Sequence, residues 1–174
     1  DYPMTNQRYM QLPDIFADAC NMPIANNSVD VVLIFEVLEH VKSPADACAE
    51  IARVLRHQGK LYLSVPFLYP IHDAPQDYQR FTIHGLRHLL NQHNLTVIEE
   101  KQHGNSFLVV LQLFNLALLE LVLRLLKISK TLGILSILIV YPATILANLL
   151  AVPFLNFKSL DAACLGYFIV AEKK

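Results

Sequence analysis

The stretch that decides the fold is VVLIFEVLEHV, residues 31–41. Its first half, Val31–Phe35, is a continuous run of β-favouring apolar residues, which is typical of a strand buried on both faces in a parallel sheet. Polar residues follow at once at Glu36, Glu39 and His40. Because ligands of such sheets bind outside the carboxyl ends of the strands, this stretch predicts one edge of a binding site.

A helix is predicted directly after this stretch, near residues 44–57. Ser43 is its expected N-cap, and Pro44 takes the first helical position, where a missing N–H costs nothing. Apolar side chains recur on one face at Ala47, Ile51, Val54 and Leu55. Gly59 is then expected to stop the helix before the next strand.

The rest of the chain alternates between strand and helix patterns. We predict strands at 61–65, 95–98 and about 166–172, a short strand at Ile15–Ala17, and a helix capped by Thr82 that ends near residue 92. Alternation of this kind indicates an α/β protein with a mostly parallel sheet and helices on its faces.

Composition narrows the class of partner. The 174 residues carry a net charge of -1 and show no basic run, so a nucleic-acid partner is not indicated. The three cysteines, widely spaced, predict neither a disulfide framework nor a zinc site and suit a reducing cytosol. The chain is nevertheless 54% apolar and 17% charged, with a mean hydropathy of +0.38. That is high for a soluble domain.

The apolar excess lies in residues 106–157, which we expect to form a membrane-associated helical hairpin. Charges occur there only at Glu120, Arg124, Lys127 and Lys130. Phe107–Leu126 reads as a helix lying in the membrane interface. Thr131–Phe157 is long enough to cross about 30 Å of hydrocarbon. Both ends of the insert must lie on one side of the membrane if the last strand joins the sheet, so we expect a re-entrant segment broken at Pro142, with Pro153 at the exit. The alternatives are an apolar homodimer interface or a lid over a greasy acceptor.

Several short blocks, in order over residues 14–66, resemble the class I S-adenosylmethionine-dependent methyltransferases. They are Asp18–Ile24, Asn27–Val32, Val37–Val41, Glu50–Arg56, Gly59–Leu61 and Ser64–Pro66. The resemblance implies a Rossmann-like sheet whose last strand is antiparallel, here inserted between strands 61–65 and 95–98. It also implies S-adenosyl-L-methionine as the cofactor, bound across the strand ends.

The resemblance also implies residues that bind the cofactor. Asp1 would accept hydrogen bonds from the ribose hydroxyls, as a carboxylate can accept two at once. Asp18, with Ala19 beside it, would accept from the adenine amino group. Phe35 and Glu36 would line the cofactor after their strand. Asp18 could instead be a plain turn residue, and Glu36 a solvated strand end.

One part of the family pattern is missing from this chain. The glycine-rich loop after the first strand is absent, and the five glycines, at 59, 85, 104, 133 and 166, are scattered. We therefore expect a fragment of a longer product, with the first strand missing. Residues 1–105 and 158–174 would form the methyltransferase domain, and residues 106–157 its insert.

Methyl transfer needs an acceptor held in line with the methyl group, and a base only if the acceptor keeps its proton. His40 lies close enough to the strand end to serve, although it could merely pack against the following helix. The loop at residues 67–80 is the predicted acceptor loop, with His72, Asp77 and Tyr78 as candidate catalytic residues. Alternatively, Asp77 pairs with Arg80 to brace the loop while Tyr78 packs.

No metal site is predicted. His84 and His88 are four apart on a helix, but no cysteine or carboxylate completes a site with them, so a solvated helix face is favoured.

These patterns favour a methyltransferase acting at oxygen or carbon of a small-molecule or lipid-linked acceptor, on the cytoplasmic side of a membrane. The alternative location is the cytoplasm itself. A second hypothesis is a non-catalytic, truncated module that docks to a membrane or a partner through its apolar insert. A third, a different nucleotide-binding α/β domain, is disfavoured because the blocks match in order.

Overall fold

The computed structural model describes residues 14–155, 157 and 163–174. The strands are β1 (Val29–Phe35), β2 (Leu55–Pro66), β3 (Leu95–His103) and β4 (Gly166–Lys173). The helices are α1 (Pro44–Val54), α2 (Ile83–Gln92), α3 (Ser106–Ile128) and α4 (Lys130–Ala151), with short 3-10 turns at Leu38–His40 and Val152–Phe154. The described part of the chain forms two compact units, one of residues 14–101 and 166–174 and the other of the described residues between 102 and 165.

The first unit is built on a mixed sheet with the strand order β1-β2-β4-β3. β1 and β2 are parallel, and β4 runs antiparallel to β2 over the register Lys60–Glu172 to Pro66–Gly166. This confirms the predicted fold class, with the last strand antiparallel and inserted between the second and third predicted strands.

The two helices of this unit pack through the predicted apolar faces. In α1 the side chains of Ala47, Ile51 and Val54 are buried, and in α2 Leu86 and Leu90 are buried. Only one of the two predicted N-caps forms a side-chain hydrogen bond. The Thr82 side chain accepts a hydrogen bond from Gly85 N, whereas Ser43 occupies the N-cap position of α1 without a side-chain cap bond.

The prediction that Gly59 stops α1 was wrong. The helix ends at Val54, because Leu55 turns extended and pairs with Val29 at the start of β1. The register with β1 then shifts, and Gln58 adopts a φ of 64° within the irregular stretch. A Cβ on Gly59 would lie 2.8 Å from Arg56 O. The glycine is therefore required for a close backbone approach within β2. The helix ends before it because strand pairing outcompetes one further helical turn.

The prediction that β1 is buried on both faces was also wrong. Ile34 is buried, but Val31, Leu33 and Phe35 are 49%, 64% and 49% exposed. These three alternate onto the opposite face of an edge strand, and within the described chain no element buries that face. The short run Ile15–Ala17 is not a strand. The side chains of Ile15 and Phe16 are exposed, and only an isolated bridge, Asp18 to Asn21, forms nearby.

The second unit is an antiparallel pair of helices, α3 and α4. At its base the Asn105 side chain caps α3 by accepting from Leu108 N, and it donates to Phe154 O and Phe157 O at 2.8 and 3.1 Å. Midway, Asn115 Nδ2 donates to Asn148 Oδ1 at 3.1 Å. At the far end Gly133 allows close packing, because a Cβ there would meet the side chain and Cα of Leu126 within 3 Å. Polar bonds at the base and midway, with tight packing at the tip, join the two helices along their length.

The predicted break at Pro142 was wrong, since α4 continues through it. An internal proline removes one hydrogen bond and crowds the preceding turn, but the flanking residues keep their own bonds. α4 ends at Ala151, just before Pro153, as predicted. Among the described residues, α3 and the stretch Lys130–Phe154 are long and apolar enough to cross a membrane, judged by length and composition alone.

Candidate active site

Glu36 stands at the carboxyl end of β1, where the chain leaves the sheet. Its φ of 51° is in the left-handed region, which a non-glycine residue adopts at some cost. Two bonds to β2 hold it there. Glu36 N donates to Ser64 O at 3.1 Å, and Ser64 Oγ donates to Glu36 Oε1 at 2.7 Å. The carboxylate is therefore fixed at the edge of the sheet where ligands of this fold class bind.

The segment that contains Asp18 forms a tight turn held against α1. Asp18 Oδ1 accepts from Cys20 N at 2.9 Å, so the carboxylate organises the turn. Downstream, Met22 N donates to Glu50 Oε1 at 3.1 Å, and Arg53 Nη2 donates to Met22 O at 3.0 Å. The Glu50–Arg53 pair thus fixes the chain that follows the turn.

Three side chains meet behind the 3-10 turn at the end of β1, and we call them the Glu39 cluster: Glu39, His40 and His72. The Glu39 side chain is fully buried, and neither of its oxygens has a hydrogen-bond partner in the described part of the chain. Glu39 Oε1 lies 3.6 Å from His40 Nε2 and 3.7 Å from His72 Nε2. Burial raises the pKa of the Glu39 carboxyl, against the opposing effects of its own backbone amide and the two imidazoles.

Acceptors on the far side of each ring orient the two imidazoles. His40 Nδ1 lies 2.8 Å from Gln76 O, and His72 Nδ1 lies 3.3 Å from Pro70 O and 3.5 Å from Asp77 Oδ2. We assign the Nδ1–H tautomer to both rings from these acceptors. In this tautomer each Nε2 carries the lone pair, and both Nε2 atoms lie within 4 Å of Glu39 Oε1.

The loop that carries His72 is braced by an ion pair. Asp77, whose side chain is 1% exposed, forms a two-pronged pair with Arg80 and accepts from His72 N at 2.9 Å. Arg80 also donates to Pro70 O at 2.9 Å. Hydrogen bonds from the Arg80 guanidinium hold the pKa of Asp77 well below its usual range. This is the bracing arrangement that the sequence left open, but Tyr78 does not pack, because its side chain is 43% exposed.

The structure places the predicted residues that it describes in three groups. His40, His72 and Asp77 come together, and Tyr78 joins them through its backbone N–H, which donates to Glu39 O at 3.0 Å. Asp18 and Ala19 lie in their own turn, and Phe35 and Glu36 end β1, where the Phe35 ring stacks 6.3 Å from Phe168. Asp1 lies outside the described residues.

Two residues of the site were missed by the sequence analysis. Glu39 lies in the Val37–Val41 block but was not predicted as a catalytic or cofactor-binding residue, although a carboxylate directly before His40 at a strand end is itself a signal. Ser64 received no role, because only the pairing of β1 with β2 places its hydroxyl at Glu36.

Part of this chain is similar in sequence to known methyltransferases. A sequence model of the methyltransferase domain family matches residues 4–63. Proteins from two strains of Mycobacterium tuberculosis, each named a probable S-adenosylmethionine-dependent methyltransferase, are 41% identical over 59 residues. That match covers 34% of this chain and 22% of each relative. The chain therefore spans about a fifth of the length of the curated relatives it matches.

Solved structures extend the likeness to most of the fold. The cyclase SpnF superposes with a TM-score of 0.53 at 16% identity, over 90% of this chain and 54% of its own. A candidate sarcosine dimethylglycine methyltransferase from Galdieria sulphuraria gives 0.52 at 12% identity, over 91% and 57%. At such identities the likeness shows the fold alone, and one fold hosts different reactions.

Residues 4–63 are thus similar in sequence to a methyltransferase domain, and most of the described chain shares a fold with the solved structures. The residues that match the family model include β1, α1 and most of β2, together with Glu36, Glu39 and His40, whereas His72 lies outside the match.

Proposed function

We propose that this protein transfers a methyl group from S-adenosyl-L-methionine to oxygen or carbon of a small-molecule or lipid-linked acceptor. The observation that carries the proposal is the group of polar side chains after β1 and β2, with Glu36, Glu39 and His40 directly after β1 and His72 in the loop after β2. The family match over residues 4–63 and the names of the relatives support the cofactor.

The residues present fit the adenosine side of the cofactor. Glu36 is locked at the strand end with one carboxylate oxygen bonded to Ser64, and Phe35 is half exposed beside it. Asp18 and Ala19 form an ordered turn. When bound, the cofactor supplies an electrophilic methyl group. The chain's own residues would bind its adenosine part and hold the acceptor in line.

The acceptor side is proposed to be the loop at residues 67–80. The side chains of His72 and His40 are partly exposed, so either is a candidate base for an acceptor hydroxyl. Tyr78 has an exposed side chain in the same loop and could contact the acceptor. Asp77 is proposed as a positioning residue, because Arg80 and His72 N occupy its carboxylate.

The test is calorimetric titration of the whole protein with S-adenosyl-L-methionine and with its demethylated product. We expect saturable binding of both, and tighter binding of the product would be consistent with turnover. Absence of binding to either compound would favour the non-catalytic module.

We further propose that the α3–α4 hairpin associates with a membrane on its cytoplasmic side. Most of its large apolar side chains are exposed, among them Leu138, Ile139 and Leu150 at 65–73%. The exposed Glu120–Arg124 pair and Lys127 lie near its tip. An enzyme anchored in this way would meet lipid-linked acceptors.

Fractionation of cells tests this placement. We expect the protein in the membrane fraction, released by detergent and not by salt. A protein that stays fully soluble without detergent, with residues 106–157 intact, would contradict it, and a soluble dimer would point to the apolar interface instead.

A further inference from the structure

We propose that the Glu39 cluster is a binding site for one divalent transition-metal ion, with Zn²⁺ as the best-fitting ion. Two imidazoles and one carboxylate are the ligand set of catalytic zinc sites, which keep one position open. Within the part of the chain that the structure describes, Glu39, His40 and His72 are the one group of three or more such residues whose ligand atoms all lie within 4.8 Å of one another.

The buried Glu39 carboxylate is the observation that points to a missing ligand. Its side chain is fully buried, and both oxygens lack a hydrogen-bond partner among the described residues. An unpaired buried carboxylate is costly, and native proteins pair such a group or place it on a metal. A cation bound between the three side chains would remove this penalty.

The orientation of the two rings supports a cation rather than a direct contact. Each Nδ1 has an oxygen acceptor, Gln76 O for His40 and Pro70 O for His72. Metal-binding histidines use such a partner to fix the tautomer and to aim the other nitrogen at the metal. Without an ion or an added proton, two Nε2 lone pairs would face a carboxylate, which is repulsive.

The distances from Glu39 to the two histidines favour a metal ion over a proton shared between the carboxylate and an imidazole. Glu39 Oε1 lies 3.6 and 3.7 Å from the two Nε2 atoms, beyond the reach of an O–H to N hydrogen bond. Ligands bound tetrahedrally to Zn²⁺ at 2.0–2.1 Å from it lie about 3.3–3.4 Å apart. The two Glu39–histidine separations therefore need to shorten by only a few tenths of an ångström, and the ligand atoms, which all lie within 4.8 Å of one another, would draw together around the ion.

Access to the site is open on the histidine side. The side chains of His40 and His72 are 21% and 29% exposed, which leaves an entry path and a free coordination position. A bound Zn²⁺ lowers the pKa of a coordinated water or hydroxyl. Activation of an acceptor hydroxyl in this way rests on the proposed methyl transfer, whereas metal binding does not.

Zn²⁺ titration of the whole protein, after treatment with a chelator and without cofactor or acceptor, tests the site. We expect about one Zn²⁺ per chain. Glu39→Gln, His40→Ala and His72→Ala should each weaken binding by at least the ~10–100-fold that loss of an outer-shell partner causes. His84→Ala and His88→Ala are the matched controls on the exposed face of α2, and they should bind as the wild type does.

The outcomes separate cleanly. The proposal would be overturned if the wild type took up no Zn²⁺, or if Glu39→Gln and His72→Ala bound Zn²⁺ as tightly as the wild type. Loss of binding only in the α2 controls would overturn it too. Should a variant unfold, X-ray absorption of Zn²⁺ on the wild type decides, because two imidazoles and oxygen ligands are expected and thiolate ligands would contradict the site. Binding of S-adenosyl-L-methionine is measured separately, so either proposal can fail without the other.

Discussion

At the scale of single residues, the Asp77–Arg80 pair determines whether the loop at residues 67–80 keeps its shape. The Asp77 side chain is almost fully buried and that of Arg80 is 22% exposed. Removing one partner of a buried pair leaves the other charge uncompensated, which is far more costly than losing a surface pair.

Arg80→Ala should therefore lower the free energy of unfolding by roughly 2–4 kcal/mol, measured by urea denaturation. Arg87→Ala is the control, because Arg87 and Glu100 form an exposed pair worth about 0–1 kcal/mol. Equal effects of the two changes would contradict the bracing role.

The same pair makes stability depend on pH in a defined direction. The folded pKa of Asp77 is depressed, so its contribution is fully present above the unfolded value of about 3.9 and is lost as pH falls through the folded pKa. Wild-type unfolding free energy should thus drop below about pH 4, and Asp77→Asn should flatten that drop. A pH profile unchanged by Asp77→Asn would exclude the pair as its source.

Asp18 is the residue through which the predicted cofactor site can be tested by a single substitution. In the whole protein Asp18→Ala should weaken binding of S-adenosyl-L-methionine by roughly 1–3 kcal/mol, the penalty for an unpaired buried donor. Asp18→Asn separates the two roles, because asparagine can still accept from Cys20 N and keep the turn. Unchanged calorimetric affinity in Asp18→Ala would remove this residue from the site.

At the scale of elements, the acceptor loop should act on turnover rather than on cofactor binding. His72→Ala and Tyr78→Phe are expected to lower the methyl-transfer rate while cofactor affinity stays nearly intact, because both lie in the loop after β2. A parallel fall in cofactor affinity would show that the loop is structural.

The start of β4 is a second test at this scale. A Cβ on Gly166 would lie 2.5 Å from Val65 O in β2, so Gly166→Ala must push the two strands apart. We expect a loss of roughly 1–3 kcal/mol in unfolding free energy. Gly85→Ala is the comparison, since its nearest atom is a side-chain oxygen of Thr82 at 3.3 Å, and it should change stability by less than about 1 kcal/mol.

At the scale of the whole molecule, the two compact units predict that the hairpin can be removed. Leu165 N donates to His103 O at 2.8 Å, so the chain enters and leaves the hairpin at adjacent points. Replacing residues 106–157 with a short Gly-Ser linker should leave the sheet unit folded by far-UV circular dichroism and soluble without detergent. Aggregation or loss of the sheet signal would show that the hairpin is part of the fold.

Patterns local in sequence were sufficient for the order of elements. The apolar runs of β1 and β2, the stripe of α1 and the Thr82 cap depend on neighbouring residues, and all were predicted. So was the place of β4, through the family resemblance. Side-chain periodicity and capping act within a few residues, and a sequence displays them directly.

Only the tertiary structure decided where α1 ends, which face of β1 is exposed, and that α4 continues through Pro142. Each depends on a competitor distant in sequence, such as the pairing of Leu55 with Val29. The Glu39 cluster also depends on contacts between residues that are distant in sequence. His72 lies 33 positions after Glu39, and the loop braced by Asp77 and Arg80 brings the two side chains together. Long-range contacts of this sort leave no periodic trace in a single sequence, because they come from how the elements pack.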